Sequence, residues 1–212
     1  DERITENNSR YFVLSVSADK IQVFFFEATL RWEYKFVKQA LEKDPTIAFT
    51  GAVKTNVDRV YAQGRSSGDV AANGFPAGRE ALKKYDCVIL GDVGPDDFLP
   101  GQIEGLRAYA SEDGGGVLFL GGRKAFGSGG LKGSAIEEAL PVVLDGEGRV
   151  FEGAVPVRLT SEGREHPAFR GLGAYFDDPA KQAALRIETC FTVKGIKPGA
   201  QLLARGEGPG GE

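Results

Sequence analysis

Methionine is absent from this chain, histidine and tryptophan occur once each, and cysteine occurs twice. The lone His166 and the absence of any paired-cysteine spacing remove the common metal-ligand patterns, so no metal is expected. Asp96-Asp97 and Asp177-Asp178 read as solvated turn residues. No apolar run approaches the roughly 18–20 residues that span a bilayer. The longest, Ile21–Phe26, is broken by Gln22 and is strand-sized, so direct membrane insertion by this segment is not expected. A net charge of -4 argues against a nucleic-acid-binding surface. The missing methionine points to a segment of a longer protein, whose leader or anchor this sequence cannot show. Cys87 and Cys190 both lie in apolar strand-like runs and read as buried free thiols, which leaves the redox compartment open.

What is present reads as α/β. The chain has 212 residues, 42% of them hydrophobic and 26% charged, enough to bury a substantial core. Residues 1–19 stand apart. Glu6-Asn7-Asn8-Ser9 is turn-like, and Phe12, Leu14 and Val16 alternate with Val13, Ser15 and Ser17 at a strand's period. A lone strand is unstable, so this piece is expected to be a linker, an added edge strand or the tail of a preceding β-domain. Ile21–Ala28 predicts a strand apolar on both faces. Leu30–Asp44 predicts a helix with Trp32, Phe36, Ala40 and Leu41 inward, and Thr46–Val53 a second strand. Lys54–Pro76 is long, polar and without period, hence a functional or mobile loop. A short helix over Ala77–Lys84 and a third strand over Asp86–Leu90 follow. Phe98–Glu112 reads as a helix with Pro100 in its first turn and Leu99, Ile103, Leu106 and Ala110 inward. Val117–Leu120 is a fourth strand, and Ser134 with Glu137 suggests a capping box for a helix ending at Leu140. Val155–Thr160, Leu185–Val193 and Gln201–Ala204 look β-like. Strands alternating with helices imply a mostly parallel sheet covered on both faces. The domain spans 20–212, and a C-terminal element is expected to be missing.

The richest stretch is Gly114–Gly127. The apolar run Val117-Leu118-Phe119-Leu120 leaves one glycine cluster and enters another, as when a buried strand delivers the chain into a tight turn at a sheet edge. Many α/β enzymes hold a nucleophile in such a turn. Here it holds Arg123, Lys124 and Ala125. The glycines do not make a phosphate loop, because no Gly-Lys-Ser/Thr follows, and Lys132 stands where a dinucleotide fingerprint needs its last glycine. No cofactor is expected. Glu27, Asp92 and Arg123 fall at or just beyond predicted strand carboxyl ends, where ligand crevices form. They suit a polar ligand, or they satisfy one another and nearby helix N-termini. Trp32 reads as a packed aromatic or as an exposed anchor for a neighbouring domain. His166 reads as a structural turn residue, or as a base for Cys87 or Cys190 if the fold brings them together.

Several segments occur in a familiar order: Leu30-Arg31-Trp32-Glu33-Tyr34, Tyr85-Asp86-Cys87-Val88-Ile89-Leu90-Gly91-Asp92, Gly114-Gly115-Gly116-Val117-Leu118-Phe119-Leu120-Gly121-Gly122, Leu140-Pro141-Val142 and Leu159-Thr160-Ser161-Glu162-Gly163. From about Lys20 to Arg205 this order resembles the class I glutamine amidotransferase-like domains of large bacterial membrane-anchored proteins. The resemblance implies a flavodoxin-like three-layer sandwich, with partners among neighbouring domains of the parent or other envelope proteins. It also implies the periplasmic side of a bacterial membrane. True members carry a catalytic cysteine in a Gly-x-Cys-x-Gly elbow with a later His and Glu. This chain has no thiol in Gly122–Gly127, and its one histidine precedes Pro167 and Ala168. The expectation is therefore a non-catalytic domain for ligand or protein recognition, with Glu27, Asp92, Gly121, Gly122, Arg123 and Lys124 as its binding residues. The alternative is a hydrolase or amidotransferase using Cys87 or Cys190 with His166.

Overall fold

The computed structural model describes residues 19–56, 59–64, 68 and 70–206. The strand expected around Phe12–Val16 lies outside the described residues. A five-stranded sheet is built from β1 (Ile21–Glu27), β2 (Ile47–Asn56), β3 (Arg59–Gly64), β4 (Cys87–Leu90) and β5 (Gly116–Phe119), in the order β3-β2-β1-β4-β5. β2, β1, β4 and β5 are parallel, and only β3 runs antiparallel, against β2.

The period of two in β1 explains the layers. Phe24 and Phe26 point into one core with Val88, Leu90, Leu106, Tyr109 and Ile136. Val23 and Phe25 point into the other with Phe49, Ile89 and Tyr34. The first core is roofed by α2 (Arg79–Leu82), α3 (Gln102–Ser111) and α5 (Ala135–Ala139), the second by α1 (Trp32–Lys43). Phe24, Phe25 and Phe26 are 0% exposed. Each stabilises the fold by about 1.5–3 kcal/mol through burial.

Several sequence expectations are corrected. Lys54–Pro76, expected as a functional or mobile loop, contains β3, in which Val60 and Ala62 pack on the core while Tyr61 is exposed. Helix α1 faces inward with Tyr34, Val37 and Leu41, whereas Trp32 and Phe36 are 70% and 61% exposed. Tyr34 wins the inner face because its ring packs on Phe25 at 4.9 Å and its hydroxyl accepts from Gln63 Nε2 at 2.9 Å. Pro100 lies ahead of α3, whose N-cap Gly101 takes a left-handed φ of 83°, and Leu99 is exposed. The Ser134–Glu137 capping box does not form. Ser134 Oγ donates to Leu131 O, and Glu137 accepts instead from Gly133 N and Lys132 Nζ.

A short α4 (Arg123–Phe126) follows β5. The rest is antiparallel β with unanticipated helices. β7 (Val150–Leu159) pairs with β8 (Arg186–Phe191) and β10 (Ala204–Gly206), and β6 (Val142–Leu144) pairs with β9 (Val193–Ile196). Between β7 and β8 lie α6 (Ser161–Glu165), α7 (Gly173–Asp177) and α8 (Pro179–Ala184). Asp178 starts α8 by accepting from Ala180 N at 2.9 Å, with Pro179 at the first helical position.

Candidate functional site at the carboxyl edge of the sheet

Strand order reverses between β1 and β4, since β1 leads to β2 on one side and β4 to β5 on the other. Ligand crevices of open α/β sheets form at the carboxyl ends of such strands. Glu27 closes β1, and Gly91-Asp92 follows β4. Both carboxylates are buried, Glu27 at 0% and Asp92 at 5% exposure.

Their oxygens are taken up internally. Glu27 Oε1 accepts from Asp92 N at 2.7 Å, and Oε2 accepts from Arg31 Nη2 at 2.9 Å. Burial pushes the Glu27 carboxyl above its ordinary range, and the Arg31 guanidinium and the Asp92 N–H only partly offset this. Gly91 is required here, because a Cβ would strike the Glu27 carboxylate. Arg31 also donates to Gly121 O at 2.8 Å, tying the end of β1 to the turn after β5. The guanidinium that pairs with the Glu27 carboxylate is thus Arg31, not Arg123. Arg123 points outward with its side chain 72% exposed, near Glu152 at 3.4 Å.

The turn after β5 has the shape of a nucleophile elbow. Gly121 adopts a φ of 58°, and α4 begins two residues later. Two features fill it with the chain's own atoms. A Cβ at Gly121 would run into the Phe126 ring, so no side chain can stand at the strained position. The N–H groups at the start of α4 are also occupied: Asp92 Oδ1 accepts from Lys124 N at 2.7 Å and from Ala125 N at 3.1 Å. Ala125 is fully buried. A Cβ at Gly122 would meet the Asp92 carboxyl, which lies flat against the turn.

Lys124 reaches a node that the sequence did not reveal. Its Nζ lies 3.0 Å from Asp97 Oδ2, Lys54 Nζ lies 2.8 Å from Oδ1, and Gly94 N donates to Oδ2 at 2.9 Å. Asp97, expected as a solvated turn residue, is 5% exposed. Burial raises its carboxyl, but the Gly94 N–H and the two ammonium groups outweigh this and hold it below the ordinary carboxylate range. The signal available in the sequence was Gly94-Pro95-Asp96-Asp97, a tight turn after a strand, but nothing in it named Lys54 as the partner.

Beside this network a cleft of about 820 Å³ opens between the carboxyl end of β5 and the β8–β9 segment. Phe119, Phe126, Ile187, Phe191 and Val193 form its apolar wall, and Glu33, Arg123, Thr189 and Cys190 supply polar groups. Its volume and mixed lining suit a small molecule or a short peptide. A second cavity of about 460 Å³ adjoins it through Thr29 and holds Lys54, Asp97 and Lys124. A separate concavity of about 810 Å³, between the end of β7 and the 196–202 loop, contains none of the elbow residues.

The thiols differ. Cys190 lines the large cleft, whereas Cys87 opens β4 at the amino end of the sheet, where burial pushes its thiol above the ordinary range. His166 Nδ1 accepts from Ala168 N at 3.2 Å within its own turn and lines none of these three spaces. Among the described residues, no cluster of three or more His, Cys, Asp or Glu side chains is placed to hold a metal ion, and no helix is long and apolar enough to cross a membrane. No family model, curated protein or solved structure matches this chain.

Proposed function

We propose that this chain is a non-catalytic, amidotransferase-like recognition domain of flavodoxin-like arrangement, belonging to a larger bacterial envelope protein. It holds a ligand or a segment of a neighbouring domain in the cleft beside the Gly121–Phe126 turn. One observation carries this reading: the cleft is open while the elbow beside it is closed by its own residues, with Asp92 on the Lys124 and Ala125 N–H groups. A purely structural spacer would have no use for a ligand-sized cleft at that edge. The extracytoplasmic placement and the envelope partners rest on the family resemblance alone.

A second reading is favoured by one fact, the presence of Cys190 in the same cleft. A thiol nucleophile needs a base within reach and donors for the developing oxyanion. His166 bonds within its own turn, and the N–H groups of Lys124 and Ala125 are taken by Asp92. The test is ammonia release from L-glutamine and hydrolysis of p-nitrophenyl acetate, with the wild type beside Cys190→Ala. The expected result is no turnover above the uncatalysed rate in either protein. Turnover in the wild type that Cys190→Ala abolishes would overturn the non-catalytic assignment.

A further inference from the structure

The five-stranded sheet ends at β3 on one side and at β5 on the other. Edge strands are ordinarily guarded by charge, proline or a bulge, because their free N–H and C=O groups invite another strand. β3 carries Arg59, and its pairing with β2 is broken by a bulge between Lys54 and Asn56. β5 has none of these guards. It reads Gly116-Val117-Leu118-Phe119, uncharged and free of proline, and its register against β4 is unbroken.

Alternate residues of a parallel strand bond to the same neighbour. Gly116 N donates to Asp86 O at 3.0 Å and Leu120 N to Leu90 O at 2.8 Å, so Leu118 between them also bonds to β4. The N–H and C=O groups of Val117 and Phe119 therefore point away from the sheet. Among the described residues, no hydrogen bond reaches any of these groups. They form a row of alternating donors and acceptors, at a spacing that an extended polypeptide matches and a compact small molecule does not. The row runs into the large cleft, which Phe119, Leu120, Gly121 and Gly122 line in turn.

A second copy fits this edge poorly. Two-fold pairing of β5 with itself about Leu118 is antiparallel and brings the glycine run 114–116 of the other copy alongside Gly121. Glycines offer no side chain to the wall of Phe126, Ile187 and Phe191, so the cleft stays unfilled. We propose that the edge of β5 takes up an extended peptide, supplied from outside this chain, as an added strand, with one large apolar side chain of that peptide seated in the adjoining cleft. Main-chain hydrogen bonds to Val117 and Phe119 hold the peptide, and the cleft selects its side chain. The inference rests on the reading of the cleft as a recognition site and names the chemistry of what it recognises.

The test pans the full chain against a phage-displayed library of random dodecapeptides and makes a selected peptide synthetically. The expected peptides share one large apolar residue in an alternating sequence without proline. Binding slows hydrogen exchange at the Val117 and Phe119 amides about tenfold or more. N-methylation of alternate peptide residues abolishes binding to the wild type, a readout that needs no variant to fold. Val117→Pro removes an outward donor at an edge position, and Ile187→Glu puts a charge in the cleft wall at a side chain 43% exposed. Each weakens binding about tenfold or more. Binding that Ile187→Glu weakens but N-methylation and Val117→Pro do not overturns strand addition, while the cleft keeps its role in recognition. Protection of the two amides that is indifferent to Ile187→Glu overturns the seating in the cleft and the reading on which it rests. Failure to select any peptide overturns the proposal and leaves the cleft to a small molecule. Amides already slow in the free chain overturn it too, in favour of a second copy if the mass in solution is a dimer's, and of another segment of the same chain if it is a monomer's.

Discussion

Asp97 shows how one carboxylate can hold several loops at once. It receives Lys54 from the end of β2, Lys124 from α4 and the Gly94 N–H from its own turn. Its carboxyl is held below the ordinary range, so the bonded form stabilises the fold at neutral pH. That contribution is present above the unfolded-state value of about 4 and is lost as pH falls through the lower folded-state value. Asp97→Asn leaves Lys54, whose side chain is 15% exposed, without its counter-charge. The expected cost is about 2–3 kcal/mol at pH 7, as for hydrogen bonds to charged groups. Urea unfolding of wild type and variant across pH checks this, and the gap between them should close on acidification. A gap independent of pH would mean that the ionised carboxylate is not what stabilises these loops.

Among the elements, α1 is the clearest case of packing overriding pattern. Its sequence offers two apolar lines, Trp32–Phe36–Ala40 and Tyr34–Val37–Leu41, and helical periodicity alone cannot rank them. The second line wins because Tyr34 fills the space left by Gly51, where a Cβ would strike the Tyr34 hydroxyl and the Phe49 ring. Tyr34→Ala is therefore expected to cost about 3–5 kcal/mol, as for large-to-small changes in a core. Trp32→Ala should stay within about 0.5 kcal/mol, as at an exposed surface. Equilibrium denaturation of the two variants decides the matter, and equal losses would put Trp32 back in the core. β3 teaches the same lesson. Its alternation is visible once Val60 and Ala62 are known to face inward, but Arg59, Tyr61 and Gln63 mask it in a polar stretch.

Across the whole molecule the two thiols report which end of the sheet is open. Cys190 lines the large cleft, and Cys87 is half-buried at the opposite edge with its thiol pushed up by burial. Alkylation by iodoacetamide in the folded state, followed by peptide mass spectrometry, should label Cys190 well before Cys87. The reverse order would contradict the placement of the cleft. The sequence by itself determined the α/β class, the four parallel strands within a residue or a few at each end, and the glycine turn after β5. Local apolar runs and glycine breaks are enough for these. It also marked Glu27 and Asp92, because residues at strand ends are legible once the strands are. Only the tertiary structure decided that Arg31 rather than Arg123 pairs with Glu27, and that Lys54 and Lys124 share a buried Asp97. It alone decided that Asp92 fills the elbow, and that Trp32 faces out. Each of these rests on contacts between segments far apart in the chain, and a linear pattern does not encode which distant side chain arrives to satisfy a buried charge.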